Sequence, residues 1–93
     1  MKKPNPKTQA QMDTFEKITG IKPIGGHQNP GSMKGFVTIK VPSDNEEVRK
    51  IMVEDAQKKW PEKVIYKGIK LYFIKKDYKD KCVQFDIEHS YLN

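Results

Sequence analysis

Residues 36–61 read FVTIKVPSDNEEVRKIMVEDAQKKWP, and this stretch decides the fold class. Val37, Ile39 and Val41 alternate with Thr38 and Lys40, which is the period of a strand with one buried face. Phe36 falls on the polar side of that alternation. Ser43 is then placed to open a helix. Ser43 and Glu46 have capping-box spacing, so each side chain can reach the other residue's free backbone N–H. Asp44, Glu46 and Glu47 fill the first turn, and Lys58 and Lys59 the last, both matched to the helix dipole. Pro61 stops the helix and pushes Trp60 away from helical angles. Val48, Met52, Ala56 and Trp60 recur every fourth residue with Ile51 beside them, one apolar stripe suited to lying on a sheet. Glu46–Lys50 and Glu54–Lys58 are favourable i,i+4 pairs on the outer side.

Beyond Pro61, residues 63–76 read KVIYKGIKLYFIKK. With Lys67 and Gly68 as a two-residue hairpin turn, Tyr66 faces Ile69 and Val64 faces Leu71. Val64, Tyr66, Ile69, Leu71 and Phe73 then share the inner side, and Lys63, Ile65, Lys70, Tyr72 and Ile74 the other. A one-residue slip would destroy that coherence. Residues 75–81 form a polar turn. Residues 82–88 form a last strand, with Val83, Phe85 and Ile87 inward and Gln84, Asp86 and Glu88 outward. Residues 89–93 are expected to be a short tail.

Toward the amino terminus, residues 1–7 (MKKPNPK) read as a mobile basic arm ahead of a single domain over 8–93. A helix follows, with two possible starts: Asn5 as cap and Pro6 at the first position, or Thr8 with Gln11 as a capping box. Met12, Phe15 and Ile18 make its apolar stripe, and Gly20 ends it. Residues 21–35, IKPIGGHQNPGSMKG, are broken by glycine and proline and read as a flexible surface loop. The loop lacks the Lys-Ser/Thr pair of a P-loop. His27, Gln28, Asn29 and Lys34 are its candidate partner contacts.

The element order α-β-α-β-β-β predicts an α+β fold: a small twisted mixed sheet of about four strands with one long helix packed on one face. The first strand, the helix and the second strand are expected to form a right-handed crossover, and the last three strands an antiparallel meander. The first strand can sit beside either the second or the fourth.

The chain has 93 residues, enough for one domain with a modest core. No apolar run is long enough to cross a membrane. Lys2 and Lys3 are followed by Pro4, Asn5 and Pro6 where a signal peptide needs an apolar core, so a cytoplasmic location is expected. The single Cys82 excludes an internal disulfide and a cysteine zinc cluster. The formal net charge of +6 is concentrated: between residues 58 and 81 there are nine lysines and three acids. Such a region suits an anionic partner, and a solvated lysine-rich surface is the bland alternative. Arg49 is the only arginine, which argues against finely sequence-specific DNA reading.

The second face of the sheet is the leading candidate surface. Phe36, Thr38, Lys40, Lys63, Ile65, Lys70 and Tyr72 fall opposite the central helix. Rings among lysines offer stacking platforms for bases and counter-charges for phosphates. The competing arrangement has the amino-terminal helix covering that face and burying Phe36, Ile65 and Tyr72. Asp86 and Glu88 share a strand face and have the spacing to hold a divalent cation, but His89 points the other way, and no metal or other cofactor is expected. Cys82 has no neighbouring base, Ser32 is not in a nucleophile elbow, and no triad is present, so no enzyme is expected.

The reading is a non-enzymatic, small, basic nucleic-acid-binding protein, taking RNA or single strands with little sequence dependence. Its candidate contacts are Lys40, Lys63, Lys67, Lys70, Tyr72, Lys75, Lys76, Lys79 and Lys81, with Tyr66 and Tyr78 interleaved. The alternative is a phage-like or mobile-element-type inhibitor or adaptor that binds and blocks a host protein such as a nuclease or toxin, an acidic or nucleic-acid-binding target, with RNA as a possible bridge. A metal-dependent nuclease built on Asp86 and Glu88 ranks last.

Overall fold

Asn5 starts the first helix. The computed structural model describes residues 5–57, 64–77 (Phe73 by its backbone alone) and 79–93. Expectations for residues 1–4, Lys58, Lys59, Trp60, Pro61, Lys63, Tyr78 and the Phe73 side chain lie outside the described residues. Helix α1 runs Pro6–Thr19, with the Asn5 side chain accepting from the Thr8 N–H at 2.8 Å. Of the two expected starts the Asn5–Pro6 one forms, so residues 5–7 belong to the helix and its cap rather than to an arm. Gly20 closes α1, donating its N–H to the Glu16 carbonyl at 2.7 Å.

The buried side of α1 is Thr8, Gln11, Met12, Phe15 and Thr19, whereas Ile18, expected in the stripe, is 39% exposed. Polar residues hold inward positions because each is satisfied there. Gln28 Nε2 donates to Thr8 Oγ1 at 3.0 Å and to Gln11 Oε1 at 2.8 Å, and Gln11 Nε2 donates to Asn93 Oδ1 at 3.0 Å.

Residues 21–35 correct the loop reading. Ile21 is buried, and Gly25–Gln28 forms a short strand, β1, paired antiparallel with β2 (Phe36–Pro42). Gly26 explains the glycine. A Cβ there would sit 2.9 Å from the Thr38 carbonyl oxygen and 3.2 Å from Met12 Sδ, so α1 can lie against β1 only where no side chain intervenes. A single 3-10 turn, Gly31–Met33, completes the connection.

β2 pairs along its whole length with β6 (Cys82–Glu88), and β6 also pairs with β5 (Phe73–Asp77), giving a four-stranded sheet ordered β1-β2-β6-β5. The first predicted strand thus lies beside the last. Every pairing is antiparallel, so the sheet is not mixed. Val37, Ile39, Val41, Phe85 and Ile87 are fully buried on its inner face. Phe15 brings α1 onto that face, its ring centroid 6.3 Å from that of Phe85.

Helix α2 is described over Glu46–Gln57. Its cap is Asn45, not Ser43: Asn45 Oδ1 accepts from the Glu47 and Val48 N–H groups at 2.9 and 3.2 Å. Ser43 is drawn off instead, its N–H and hydroxyl both donating to the Lys81 carbonyl. Val48 and Ile51 join the core, Met52 packs at its edge, and Ala56 is exposed. Lys50 pairs with Glu47 at 3.4 Å rather than with Glu46, an exposed contact of little energetic weight.

α2 leads to a separate hairpin of β3 (Val64–Tyr66) and β4 (Ile69–Leu71), in the expected register of Tyr66 with Ile69 and Val64 with Leu71. Lys67 (φ 49°) and Gly68 (φ 82°) both take left-handed angles, as a primed two-residue turn requires. Because β2 and β3 lie in different sheets, the expected parallel crossover does not form. The strand expected through residues 69–74 breaks at Tyr72. Leu71 is buried, and Ile74, three positions on, also packs against the core instead of facing outward. A straight strand cannot turn both inward at an odd spacing, so the chain changes face between them. The expected tail is also structured: a 3-10 turn, His89–Tyr91, places Leu92 in the core at 2% exposure.

The two adjacent β1 glycines should respond oppositely to alanine. Gly26→Ala is expected to cost roughly 1–3 kcal/mol through the clash with backbone and Met12. At Gly25 an added Cβ meets only Lys40 side-chain carbons at 3.6 and 4.0 Å, so Gly25→Ala should be neutral or stabilising by up to about 1 kcal/mol. Urea unfolding midpoints of the two variants check this.

Candidate nucleic-acid interface

Antiparallel partners share a face, so the register sorts the outer side of the sheet without further assumption. One row across the strands is His27, Thr38 and Asp86. The next is Gly25, Lys40, Gln84 and Lys75. Phe36 and Glu88 form the row on the other side of Thr38. Four residues along β2, about 13 Å, therefore separate an aromatic end at Phe36 from a basic end at Lys40. α1 turns its buried side to Phe85 on the inner face, and neither Phe36 nor Tyr72 belongs to the core. The amino-terminal helix does not cover this surface.

The aromatic end is a pair. The Phe36 and Tyr72 ring centroids are 4.8 Å apart at 47°, and both residues are half-buried. The break between β4 and β5 supplies the second ring: the Tyr72 N–H donates to the Asp86 carbonyl at 2.8 Å, which holds the residue against β6. The centre of the surface is a polar relay. Asn29 Nδ2 donates to Thr38 Oγ1 at 2.9 Å, and Thr38 donates to Asp86 Oδ1 at 2.6 Å. Thr38 is only 3% exposed, so its orientation is set by these partners.

The sequence-predicted contacts divide. Lys40, Lys75 and Tyr72 come together on the outer face. Lys79 and Lys81 are exposed in the adjoining turn, which Asp77 Oδ1 pins by accepting from the Lys79 and Asp80 N–H groups at 3.0 and 3.1 Å. Lys76 shares the parity of Val83 and projects from the β5 edge on the other side. Lys67 is not a free contact: its ammonium donates to the Thr19 carbonyl at 3.1 Å, at the carboxyl end of α1 where a cation is favoured. Lys70 pairs with the exposed Ile65 on the separate hairpin, so neither lies on the outer face of the main sheet.

The expected partner loop divides too. His27 is exposed on the outer face and Lys34 is exposed beyond the 3-10 turn. Gln28 is committed to α1, and Asn29 to the relay. Gln84 and the Asn29–Thr38–Asp86 relay escaped the motif reading, although the strict alternation of β2 and β6 already placed Thr38, Gln84 and Asp86 outward. Around Asp86 and Glu88, as elsewhere among the described residues, no group of three or more metal-ligating side chains converges.

Other ionisable groups here are structural. Burial raises the pKa of the Cys82 thiol, and Asp77 adds to the rise, which keeps the thiol protonated and unreactive. Burial likewise raises the Tyr66 hydroxyl, whose hydrogen bond to Glu47 at 3.0 Å ties the hairpin to α2. His89 sits under the Phe36 end. Its pKa is lowered by burial first and by Lys7 second, against a hydrogen bond to the Phe36 backbone, and its Nε2 has no partner among the described residues. A histidine whose folded pKa lies below its unfolded value contributes fully above that unfolded value and loses its contribution as pH falls.

Stability should therefore hold above about pH 6.5 and decline just below it, and His89→Gln should remove that decline. Thermal melts between about pH 7.5 and 5 check this, before most carboxylates titrate; an unchanged slope in the variant would contradict it. Among the described residues no helix is long and apolar enough to cross a membrane. Compared with protein-family models, curated proteins and solved structures, the chain matches none, so the functional reading rests on this surface.

Proposed function

We propose that the protein is a non-enzymatic binder of single-stranded nucleic acid, RNA above all, acting in the cytoplasm through the outer face of its four-stranded sheet. One observation carries the reading: a half-exposed Phe36–Tyr72 ring pair lies on the same sheet face as Lys40 and Lys75, opposite the face on which α1 packs. Base–aromatic stacking is worth roughly 1–3 kcal/mol per base and tolerates any base. Lysines about two residue pairs away neutralise the backbone of the same strand, releasing counterions. Lys79 and Lys81 extend the positive field beyond the β5–β6 turn, within the chain's net charge of +6. Most of the affinity is thus independent of sequence.

Fluorescence anisotropy with a labelled uridine-rich RNA, titrated with salt, tests the proposal. Affinity should fall steeply with salt, and a Lys40→Ala, Lys75→Ala double variant should flatten the log–log slope by about 0.7 per lysine. Phe36→Ala should weaken binding about tenfold at every salt concentration. Lys67→Ala should leave binding unchanged, because that ammonium is already engaged on Thr19. Absence of binding at low salt, or binding indifferent to salt, would reject the reading and favour a protein target.

A further inference from the structure

Asp86 is out of place on a surface built for phosphate. It is half-buried at the centre of the outer face, one row from Lys40 and one from Phe36. No described residue forms an ion pair with it. Its Oδ1 accepts from the Thr38 hydroxyl at 2.6 Å, and Thr38 is held in turn by Asn29. Its Oδ2 takes no hydrogen bond from any described residue. A carboxylate fixed in this way by two successive hydrogen bonds repels phosphate but is an oriented acceptor for N–H donors.

We propose that Asp86 reads guanine, making one base position of the bound strand selective; this rests on the single-strand reading above. Guanine is the base whose pairing edge places two donors side by side, N1–H and the N2 amino group. Adenine and cytosine set a single amino group beside a ring-nitrogen acceptor, and uracil flanks its one N–H with two carbonyls. A carboxylate meets two donors in guanine and at least one repelling acceptor in each of the others. The stacking surface is adjacent: the Tyr72 N–H is bonded to the carbonyl of Asp86 itself, and the Tyr72 ring lies against Phe36. A base stacked there lies one row from Asp86 and can turn its pairing edge to that carboxylate, while Lys40 and Lys75 remain for phosphates. The Thr38 and Asn29 side chains are positioning residues, since they act by fixing the carboxylate.

The test uses four labelled eight-nucleotide uridine RNAs, three carrying a single central guanosine, adenosine or cytidine and one unsubstituted, in anisotropy titrations at fixed low salt. The guanosine strand should bind about tenfold more tightly than the other three. Inosine in its place, which lacks the N2 amino group, should lose most of that advantage. Asp86→Asn should abolish the preference and leave the salt slope unchanged. The inosine comparison alters only the RNA, so it decides guanine selection through the N2 amino group even if the variant fails to fold. Equal affinity for all four RNAs with a steep salt slope would overturn guanine selection while leaving the single-strand reading intact. Retention of the guanosine preference by Asp86→Asn would overturn the assignment to Asp86. No binding of any strand would overturn both.

Discussion

The pairing of β2 with β6 is the constraint on which everything else depends. Seven consecutive residue pairs, Phe36 with Glu88 through Pro42 with Cys82, set two strands in one register. That register puts Val37, Ile39, Val41, Val83, Phe85 and Ile87 on one face, each at most 1% exposed. The side-chain period of two leaves the opposite face to Phe36, Thr38, Lys40, Gln84 and Asp86. Core and candidate site are thus two sides of the same ladder. A slip by one residue would bury Lys40 and expose Phe85, so the apolar face that stabilises the fold also specifies the polar one. The additional elements protect the inner face: α1 through Met12 and Phe15, α2 through Val48 and Ile51, and the β3–β4 hairpin through Val64, Ile69 and Leu71.

What could be read from the sequence was whatever a local pattern determines. The alternation of β2 and β6, the Lys67–Gly68 turn and the Gly20 stop depend on neighbours along the chain, and each formed as its pattern implied. The misreadings share one physical cause, a distant partner that outbids the local signal. Ser43 has good capping-box spacing, but the Lys81 carbonyl competes for it and leaves the cap to Asn45. β1 looks like a loop because its two glycines have poor strand propensity. It forms because the β2 edge offers hydrogen bonds and because Met12 needs the space above Gly26. Thr8, Gln11 and Thr19 look like surface residues of α1 and are buried because their polar atoms find partners in Gln28, Asn93 and the helix backbone.

The same reasoning applies to the surface. Charge counting along residues 58–81 treats lysines as one patch, whereas the fold distributes the described ones over the outer sheet face, the β5–β6 turn, the hairpin and the β5 edge. Lys67 shows why counting alone misleads: it is spent on the Thr19 carbonyl, holding the hairpin turn against the end of α1. Alternation within β2 was the better guide, since it separated Phe36, Thr38 and Lys40 from the core before any partner strand was known. It could not reveal the Phe36–Tyr72 contact, which depends on the change of face between Leu71 and Ile74. Nor could it reveal that Asn29 reaches across from the β1 turn to orient Thr38 and, through it, Asp86.

The proposed ligand-binding surface is the outer face of this sheet, and amide chemical-shift mapping with an unlabelled uridine-rich RNA tests that most directly. Shifts should concentrate on Phe36, Thr38 and Lys40 of β2, on Tyr72 and Lys75, and on Gln84 and Asp86 of β6. The β3–β4 hairpin around Lys67 and Lys70 should stay still. Shifts confined to that hairpin, or none at saturating RNA, would contradict it.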